Sequence, residues 1–564
     1  MNVSFSPFAS LIRVLTLSAI TLASITACDQ SASWQDADAA DKDAISREDT
    51  LIVARASEPE WLNPVAGHQH ADADKSIFRG LFKLDLDNRL VPDMAQSWSV
   101  SDDGKVYTIK LRDGIKWHDG VAFTAEDVKF TIESIQNPDN HSGLRKEVEE
   151  INNVRVIDPL TVQISLSQPL SPLPGRLKIG MIPKHALAGK DFNTDPFNFD
   201  QPIGTGPYQF KSRRPGEYLE LVANPDFYDG APAFKRVIYK FLPDPNVRLV
   251  QLKKGEIDVA ALTPKQIAAV KDDDVFRIET TPSADYRVMM FNHRDPLFAD
   301  VRVRQAIQFA TDREALVKGA LLGRGSAAYA PLQFNRMTAA PAQLLKHDND
   351  IQRAEQLLNQ AGWQRNRDGL MEKDGKPFSF VLTAPVSSPV RVDLATLLAS
   401  QLQRLGIEAK VDVKDWAVID IPQTQALILG GGLPGDPDDD LYRFFSSYML
   451  DAGSNYSGFS NPDIDALLIA GRRTTNDLQR VQIYRRLQRE LTENPAYNYL
   501  VYLEHVYGVR KGLQGFQKKI FGHGTSPLWN IEQWRNANPA SNPNPSLNLN
   551  PAPAAEQHSQ AASH

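Results

Sequence analysis

Hydrophobic patterns of two different periods run along this chain and predict a mixture of strands and helices. The apolar run 51–54 and the alternating segment 106–111, which follows a turn, have the period of β-strands. After Asp300, apolar residues recur at helical spacing between positions 303 and 310. We therefore expect an α/β protein, with Asp300 as the N-cap of one of its helices.

Local signals predict the ends of three further helices. Thr311 and Glu314 are spaced as a capping box, and Gly323 is expected to end the helix that follows. Asn461 before Pro462 predicts an N-cap with proline in the first helical position. Another helix is predicted by apolar residues three or four positions apart, namely Leu478, Val481, Tyr484, Leu487 and Leu491. No repeat with a period of about 20 to 50 residues is present, which excludes a solenoid or a propeller.

The N-terminal segment has the pattern of an export signal. An uncharged stretch, 14–27, follows Arg13 and ends at Cys28, the single cysteine of the chain. The stretch is too short to span about 30 Å of hydrocarbon as a helix, and it matches the apolar core of a signal peptide. Its final order I-T-A-C resembles the lipobox of bacterial lipoproteins, in which the cysteine is lipidated and becomes the mature N-terminus. The alternative is an ordinary signal peptide followed by a chance cysteine.

A lipidated Cys28 implies a protein that is anchored to a membrane without spanning it. Such a cysteine is not available for metal binding or nucleophilic catalysis. We predict a lipoprotein signal peptide over 1–27, a flexible tether over 28–49 and a disordered tail over 536–564. The tether and the tail are poor in large apolar residues, so neither has much to bury.

The composition is that of a soluble globular protein. Of the 564 residues, 42% are hydrophobic and 23% are charged. Lysine and arginine together number 62 against 69 aspartates and glutamates, which gives a formal net charge of −7. This charge is small for so large a body, and it argues against nucleic acid as a partner.

Motifs for catalysis are absent from the sequence, which has no G-x-S-x-G, H-E-x-x-H or G-x-x-x-x-G-K-[ST] pattern. We expect no enzymatic activity and no cofactor, with an exported hydrolase as the alternative from another class. The glycines of 430–435 match G-x-G-x-x-G, but the acids of 436–440 would repel a pyrophosphate at the helix start. They also fail as a calcium loop, because Leu441 and Ser447 replace the required glycine and glutamate. We interpret the segment as an anionic loop leading into a helix over 441–449.

Histidines offer one pair of metal-ligand candidates. His68 and His70 alternate with Asp72 and Asp74, so an extended segment would place all four on one side. A solvated polar loop is the interpretation we favour, and we predict no metal site. His118 is expected to form hydrogen bonds within its own turn.

A longer set of motifs resembles a known family. The segment 98–128 reads WSVSDDGKVYTIKLRDGIKWHDGVAFTAEDV, which closely resembles the signature of peptide- and nickel-type extracytoplasmic solute-binding proteins of ABC importers. Five more stretches agree in the expected order, namely SEPEWLNP at 57–64, GTGPY at 204–208, NPDFY at 224–228, LKKGEID at 252–258 and VRVRQA at 301–306. Together they extend the resemblance over 51–534.

The resemblance implies a two-lobed periplasmic-binding-protein clamshell of the large type with an extra subdomain. Two crossovers between the lobes are expected near Asp295 and Leu500. The predicted limits are 50–80, 190–295 and 500–535 for lobe I, 81–189 for the subdomain and 296–499 for lobe II.

In function, the resemblance implies capture of a small peptide or peptide-like solute by closure of the lobes, with delivery to the permease subunits of an ABC importer. The protein is expected to be a periplasmic monomer, lipid-anchored to the bacterial cell membrane. A nickel chelate or another metal-linked small molecule, with His68 or His70 as ligand, is the nearest alternative. A sensor that binds no solute is a further one.

The site residues implied by the resemblance are fewer. In peptide-binding relatives, an aspartate in the loop that corresponds to 432–440 pairs with the N-terminal amine of the peptide. Here Leu433-Pro434 precede the G-D-P-D run, so Asp436 is the candidate only by a shifted register, and helix capping by Asp436 and Asp438 is the alternative.

Other candidate contacts follow from residue type and position. Tyr286 and Arg287 precede a predicted strand and offer a ring and a guanidinium to a carboxylate. Trp416 is a candidate wall of the cleft, and Asn455 a hydrogen-bonding partner for the main chain of the solute. The two glycines of 204–208 are expected to allow a sharp turn with positive φ.

Overall fold

The computed structural model describes residues 45–66, 72–270, 273–335, 345–451, 454–524 and 526–537. Within these ranges the strands are β1 Thr50–Arg55, β2 Phe82–Leu84, β3 Leu90–Pro92, β4 Ala95–Val100, β5 Val106–Leu111, β6 Ile151–Asp158, β7 Thr161–Leu166, β8 Tyr208–Arg214, β9 Tyr218–Ala223, β10 Arg236–Phe241, β11 Val259–Ala261, β12 Phe276–Phe291, β13 Gly325–Ala327, β14 Gln364–Arg365, β15 Met371–Lys373, β16 Lys376–Pro377, β17 Ser379–Pro385, β18 Glu408–Lys414, β19 Ala426–Gly431, β20 Tyr497–Arg510, β21 Leu513–Gln514 and β22 Arg535–Asn536. The α-helices are α1 Asp72–Ile77, α2 Ala125–Gln136, α3 Leu173–Arg176, α4 Lys184–Leu187, α5 Pro245–Lys253, α6 Pro264–Ala269, α7 Val301–Ala310, α8 Arg313–Ala320, α9 Ile351–Gln360, α10 Pro389–Arg404, α11 Asp438–Phe445, α12 Pro462–Arg473 and α13 Asp477–Glu493.

One large mixed sheet runs through the folded body and confirms the α/β class. Its strand order is β18-β17-β19-β12-β20-β11-β1-β10-β9-β8, with β13 also paired to β20. The neighbours β1 and β10 are parallel, as are β17 and β18, whereas β12 and β20 are antiparallel. The centre of the sheet is therefore formed by two strands that are distant in the sequence.

The long strands β12 and β20 contribute to both halves of this sheet. β11 pairs with the C-terminal end of β20, and β19 pairs with the C-terminal end of β12. The register of the β12–β20 pair shifts between Pro282 and Tyr286, where proline supplies no N–H for the ladder. This shift separates the part of β12 that faces the end of β20 paired with β11 from the part paired with β19. The crossovers expected near Asp295 and Leu500 stay predictions. Asp295 caps a short helical turn, since its carboxylate accepts from the Leu297 N–H at 2.9 Å.

A second, antiparallel sheet has the order β4-β5-β7-β6 and lies almost entirely within the segment predicted as the extra subdomain. Helix α2 packs on this part of the core through the buried residues Val128, Ile132 and Ile135. Its N-terminus has the predicted chemistry, because the Thr124 N–H donates to the Asp127 carboxylate at 2.9 Å. The limits proposed for the lobes and the subdomain stay predictions.

The apolar side chains form separate cores in the two halves. The first core contains β1, β10 and the four-stranded sheet, and its large side chains include Trp117, Tyr208 and Trp534. A smaller core beside β1 and β11 contains Leu252 and Phe276. The other half also has two cores, because successive residues of β12 point to opposite faces of the sheet. Met289 belongs to the second core and Met290 to the third. The two halves thus have independent hydrophobic cores joined by β12 and β20.

Most of the predicted helix ends agree with the structure. The Asp300 carboxylate accepts from the Arg302 N–H at the start of α7, and the Asn461 side chain caps α12. The predicted capping box at Thr311 was wrong by one residue. Asp312 is the N-cap of α8, while the Thr311 hydroxyl donates to the Ile307 carbonyl of the preceding helix.

The apolar stripe of α13 is shorter than predicted. Tyr484, Leu487 and Leu491 are buried in α13, but Leu478 in its first turn is 79% exposed. The helix expected over 441–449 begins earlier and ends earlier, as α11. Both differences arise at helix ends, where the neighbouring elements rather than the periodicity decide burial.

The glycines of 204–208 serve a close approach of backbones and not a positive φ. A Cβ on Gly204 would lie 1.9 Å from the Ile77 carbonyl oxygen, and one on Gly206 would lie 2.3 Å from the Ser76 oxygen. His118 holds this segment, since Nδ1 accepts from the Gly204 N–H at 3.1 Å and Nε2 donates to the Gly206 carbonyl at 3.0 Å. The hydrogen bonds of the His118 ring therefore reach another segment and not its own turn.

The predicted tether and tail each extend slightly too far into the fold. Arg47 forms an ion pair with the buried Asp258 at 2.7 Å. Asn536 belongs to β22, and its side-chain amide donates to the Glu48 carbonyl at 2.6 Å. The signal peptide, Cys28 and nearly all of the tether and tail lie outside the described residues.

The environment of His118 predicts a loss of stability in acid. Burial lowers the pKa of His118 to about 4. Protonation would place a hydrogen on Nδ1, which would then face the Gly204 N–H as a second donor and could no longer accept from it. Between pH 6.5 and pH 4, His118 is protonated in the unfolded chain and neutral in the folded chain. Acidification therefore lowers the free energy of unfolding by about 3 kcal/mol through this residue. His118→Gln retains an acceptor and a donor but does not titrate. Denaturant unfolding at pH 7 and pH 4 should show a smaller acid-induced loss in the variant, and an equal loss would contradict the assignment.

Candidate functional site

Three chain segments meet where the register of β12 shifts. They are the shifted part of β12, the facing part of β20 and the segment 519–523. The Ala284 N–H donates to the Phe521 carbonyl at 2.7 Å, and the His523 N–H donates to the Gly432 carbonyl at 2.7 Å. The segment 519–523 is thereby fixed both to β12 and to the loop after β19.

Asp285 is the buried carboxylate at this junction. It accepts from the Arg287 guanidinium in its own strand, from His505 Nε2 at 3.0 Å and from His523 Nδ1 at 2.9 Å. Burial alone would raise the pKa of Asp285, but the charge of Arg287 and the hydrogen bonds of both histidines lower this pKa well below its ordinary value. The carboxylate is therefore ionised and binds side chains of all three segments.

Arg391, at the start of α10, joins the same place. A Cβ on Gly430 of β19 would lie 2.7 Å from Arg287 Nη1, 2.9 Å from His523 Cε1 and 3.0 Å from Arg391 Nη2. The three side chains converge over Gly430 because that residue has no side chain of its own. We call this set the hinge cluster, which consists of Asp285, Arg287, Arg391, His505 and His523.

The hinge cluster carries more positive than negative charge. Burial, and secondly the charge of Arg287, lower the pKa of Arg391 to about 9. Among the described residues, the Nε atoms of Arg287 and Arg391 have no hydrogen-bond partner. Two guanidiniums face one carboxylate, so an additional anion would be stabilised here, and the planar fork of arginine matches a carboxylate group.

His523 combines an orienting partner with access to solvent. Its Nδ1 donates to Asp285, and its side chain is 38% exposed. Nε2 lies on the side of the ring away from this bond. A histidine whose second nitrogen is held by a carboxylate has the arrangement of a metal-binding imidazole, so Nε2 is suited to bind a metal ion.

Trp416 lies beside the cluster. Its ring centroid is 5.8 Å from the Arg391 guanidinium, and the residue is 42% exposed. This position is compatible with the predicted role as a wall of the cleft, which stays a prediction. Of the other candidates, Arg287 belongs to the hinge cluster.

The carboxylates of the loop before α11 are already neutralised by protein side chains. Asp436 forms a bidentate pair with Arg480, with distances of 2.8 and 2.9 Å. Asp438 is fully buried and pairs with Arg176 and Arg472. Asp436 also accepts from the Asp438 N–H at 2.9 Å, but the N-cap position of α11 is Pro437, and Asp438 is the first residue of the helix. The geometry thus gives both acids structural partners, and their contact with a solute stays a prediction.

Tyr286 and Asn455 also make internal contacts. The Tyr286 hydroxyl donates to Asp440 at 3.0 Å, and burial raises the pKa of Asp440 to about 6. The Asn455 amide donates to the Ser446 and Phe459 carbonyls, at 3.1 and 2.7 Å. These bonds explain why the side chains are buried, and their roles as solute contacts likewise stay predictions.

Asn455 additionally lines a surface groove of about 340 Å³. The other lining residues are Arg294, Ile419, Asp420, Ile421, Pro422, Leu450 and Tyr456. None of the residues of the hinge cluster takes part in it, so the groove and the cluster are separate features.

Sequence reasoning missed four members of the hinge cluster, Asp285, Arg391, His505 and His523. A signal was available for Asp285, because it stands with Arg287 just before the apolar residues 288–291 of β12, and a charged residue that is buried there needs partners. Nothing local marked Arg391 or His523, whose positions depend on strand pairing. His68 and His70 lie outside the described residues.

Two features of the described residues bear on the remaining expectations. They contain no group of three or more histidine, cysteine, aspartate or glutamate side chains placed to hold a metal ion. They also contain no helix with the length and apolar character needed to cross a membrane.

Comparison with known proteins identifies the family. The family model for "Bacterial extracellular solute-binding proteins, family 5 Middle" matches residues 89–451. Protein XP55 of Streptomyces lividans is 32% identical over 477 residues, which cover 84% of this chain and 87% of that protein.

Solved structures agree in fold. NikZ from Campylobacter jejuni, in complex with Ni(L-His), is 37% identical with a TM-score of 0.83, over 87% of this chain and 100% of that one. AppA from Bacillus subtilis, in complex with a nonapeptide, is 29% identical with a TM-score of 0.78, over 87% of this chain and 99% of that one. The fold is that of the two-lobed periplasmic binding proteins. The protein therefore belongs to family 5 of the bacterial extracellular solute-binding proteins and is a substrate-binding protein of the peptide and nickel ABC-transporter type.

Proposed function

We propose that the hinge cluster binds the carboxylate groups of a small solute, and that this solute is a divalent transition-metal ion held by an amino-acid chelator. The observation that carries the proposal is the convergence of Arg287, Arg391 and His523 over Gly430. The guanidiniums would bind carboxylate oxygens of the chelator. His523 Nε2 would complete the coordination of the metal, for which imidazole is a suitable ligand with nickel. The role requires no covalent chemistry.

The similarity to NikZ supports this choice, because that protein is described in complex with Ni(L-His). Closure of the lobes about β12 and β20 would enclose the solute at the junction and present it to the permease. The position of the cluster at the crossing of the two strands allows a bound solute to contact both lobes.

A short peptide is the second candidate, and it is favoured by the similarity to AppA. The terminal carboxylate of the peptide would bind the same two guanidiniums, those of Arg287 and Arg391. The amine anchor expected of a peptide receptor is the weak point, because Asp436 is bound by Arg480 and Asp438 by two other arginines. The geometry supports the chelate better.

We also propose that Cys28 is lipidated and anchors the receptor to the membrane of an importing bacterium. The support is the sequence alone, in which the single cysteine follows an apolar signal and small residues.

The ligand proposal is tested by calorimetric titration with Ni²⁺ and L-histidine. Arg391→Met should weaken binding by about 10- to 100-fold, because a charge-assisted hydrogen bond contributes roughly 1.5 to 3 kcal/mol. His523→Gln should reduce the affinity for the chelate to that for L-histidine without metal. Arg353→Met, at an exposed arginine outside both the hinge cluster and the surface groove, is the matched control and should bind as the parent does. Binding of short peptides by the parent protein, with no response to the chelate, would decide for the second candidate.

The Asp436–Arg480 pair predicts a stability effect in place of a binding effect. Asp436→Asn removes the partner of a buried guanidinium and should lower the free energy of unfolding by about 3 kcal/mol. Solute affinity at 25 °C should change less than about threefold. Melting curves and titrations of the same sample measure both. A large loss of peptide affinity at unchanged stability would restore Asp436 as the amine anchor.

Lipidation is tested by Cys28→Ser in a bacterial host. The native protein should partition into detergent and carry the mass of a lipid on its N-terminal peptide, whereas the variant should be recovered in the aqueous phase. A native protein whose N-terminal residue is not Cys28 and carries no lipid would contradict the proposal.

A further inference from the structure

With the two halves of the large sheet taken as the two lobes, a seam of ion pairs joins the lobes through residues outside the hinge cluster. On one side, Arg176 ends α3, whose Leu173 packs in the first core. On the other side, Asp438 begins α11, whose Leu441 packs in the third core. We call the charged residues of this contact the seam, and they are Glu147, Glu150, Arg176, Lys178, Asp438, Asp439 and Arg472.

The ion pairs cross from lobe to lobe. Arg176 pairs with Asp438 of the opposite lobe and with Glu147 of its own. Lys178 pairs with Asp439 at 2.8 Å. From the other direction, Arg472 pairs with Glu150 at 3.2 Å, and with Asp438 at 3.3 Å. Arg176 thus bridges acids of both lobes.

Hydrogen bonds from Ser171 to main-chain carbonyls fix the same contact. The Ser171 N–H donates to the Arg472 carbonyl at 2.8 Å, and the Ser171 hydroxyl donates to the Thr474 carbonyl at 2.6 Å. Because main-chain groups require a defined separation and orientation, these bonds set one register between the lobes.

The central charges of the seam are buried. The side chains of Asp438, Arg472 and Arg176 are 0%, 3% and 8% exposed. Burial raises the pKa of Asp438 in spite of two neighbouring guanidiniums, so the ion pairs do not fully offset desolvation. A buried pair of this kind stabilises little as a whole, but loss of one partner leaves a buried charge without compensation.

We propose that Arg176 is a positioning residue for solute capture, which holds the closed register of the lobes by bridging Glu147 to Asp438. Arg176 does not belong to the hinge cluster, so it acts on affinity only through closure. When the lobes separate, water hydrates each charged side chain of the seam in place of its partner on the other lobe. When they close without Arg176, Asp438 and Asp439 lose a compensating charge, so the closed state becomes less populated. Apparent affinity is the intrinsic affinity scaled by the closed fraction.

The proposal rests on the proposed function for its solute, and it also has a readout that needs none. Hydrogen exchange of the Ser171 amide reports whether the seam is formed, because this N–H bonds across the lobes. Arg176→Met should accelerate exchange of that amide and weaken binding of Ni²⁺ with L-histidine by about 10- to 100-fold, mainly through faster dissociation.

A second variant separates closure from damage to the first core. Arg176→Met combined with Asp438→Asn removes the most deeply buried of the acids that lose Arg176, while Lys178 still pairs with Asp439 and Arg472 with Glu150. Slow exchange of the Ser171 amide and solute affinity should therefore both largely recover. Lys184→Met is the matched control, because it breaks an exposed ion pair with Glu126 on the same lobe, and it should change neither readout.

Two results would overturn the proposal. One is unchanged exchange of the Ser171 amide in Arg176→Met. The other is an affinity of the double variant that stays as low as that of the single one, which would indicate a damaged fold. If the parent protein does not bind the chelate, the proposed function fails, while the exchange measurement still decides the role of Arg176.

Discussion

The ion pair and the hydrogen bonds of Asp285 hold together the junction of the two halves, and the rest of the structure depends on this junction. One ionised, buried carboxylate binds Arg287 of β12, His505 of β20 and His523 of the C-terminal segment. These segments belong to different parts of the sequence, and no hydrophobic core covers all of them. An ion in a buried site is stabilised only by fixed partners, so the carboxylate fixes the geometry of the crossing.

Charge is distributed differently at the two places where the lobes meet. At the hinge, Arg391 adds a cation beyond what Asp285 neutralises, and burial together with Arg287 lowers its pKa. At the seam, acids and bases of the protein pair with one another. The excess positive charge of the hinge cluster would stabilise an added anion, whereas the paired charges of the seam leave no such excess. This contrast is the physical reason for placing the solute at the hinge cluster and not at the acidic loop before α11.

The sequence predicted what depends on local pattern. Strand β5 has the predicted limits, Asp300 and Asn461 cap the expected helices, and the six family motifs indicated the two-lobed fold. It did not reveal contacts between distant segments. Asp436 is satisfied by Arg480, which lies 44 residues later, and no local feature of either residue announces the pair.

The same limit applies to the site. Arg287 was found because it directly precedes the apolar residues 288–291, although it lies within β12 and not before a strand. Arg391 and His523 are 132 residues apart, and they meet only because β19 pairs with β12. Their convergence also requires the missing side chain of Gly430, which the sequence shows merely as one glycine among several. Periodicity describes elements, whereas the site is a property of their pairing.

A crystal structure of the protein with Ni²⁺ and L-histidine tests the central claim most directly. The account expects chelator carboxylates on Arg287 and Arg391, and the metal on His523 Nε2. An occupied site whose solute is bound instead at Asp436 or Asp438, with Arg480 or Arg176 displaced, would contradict it.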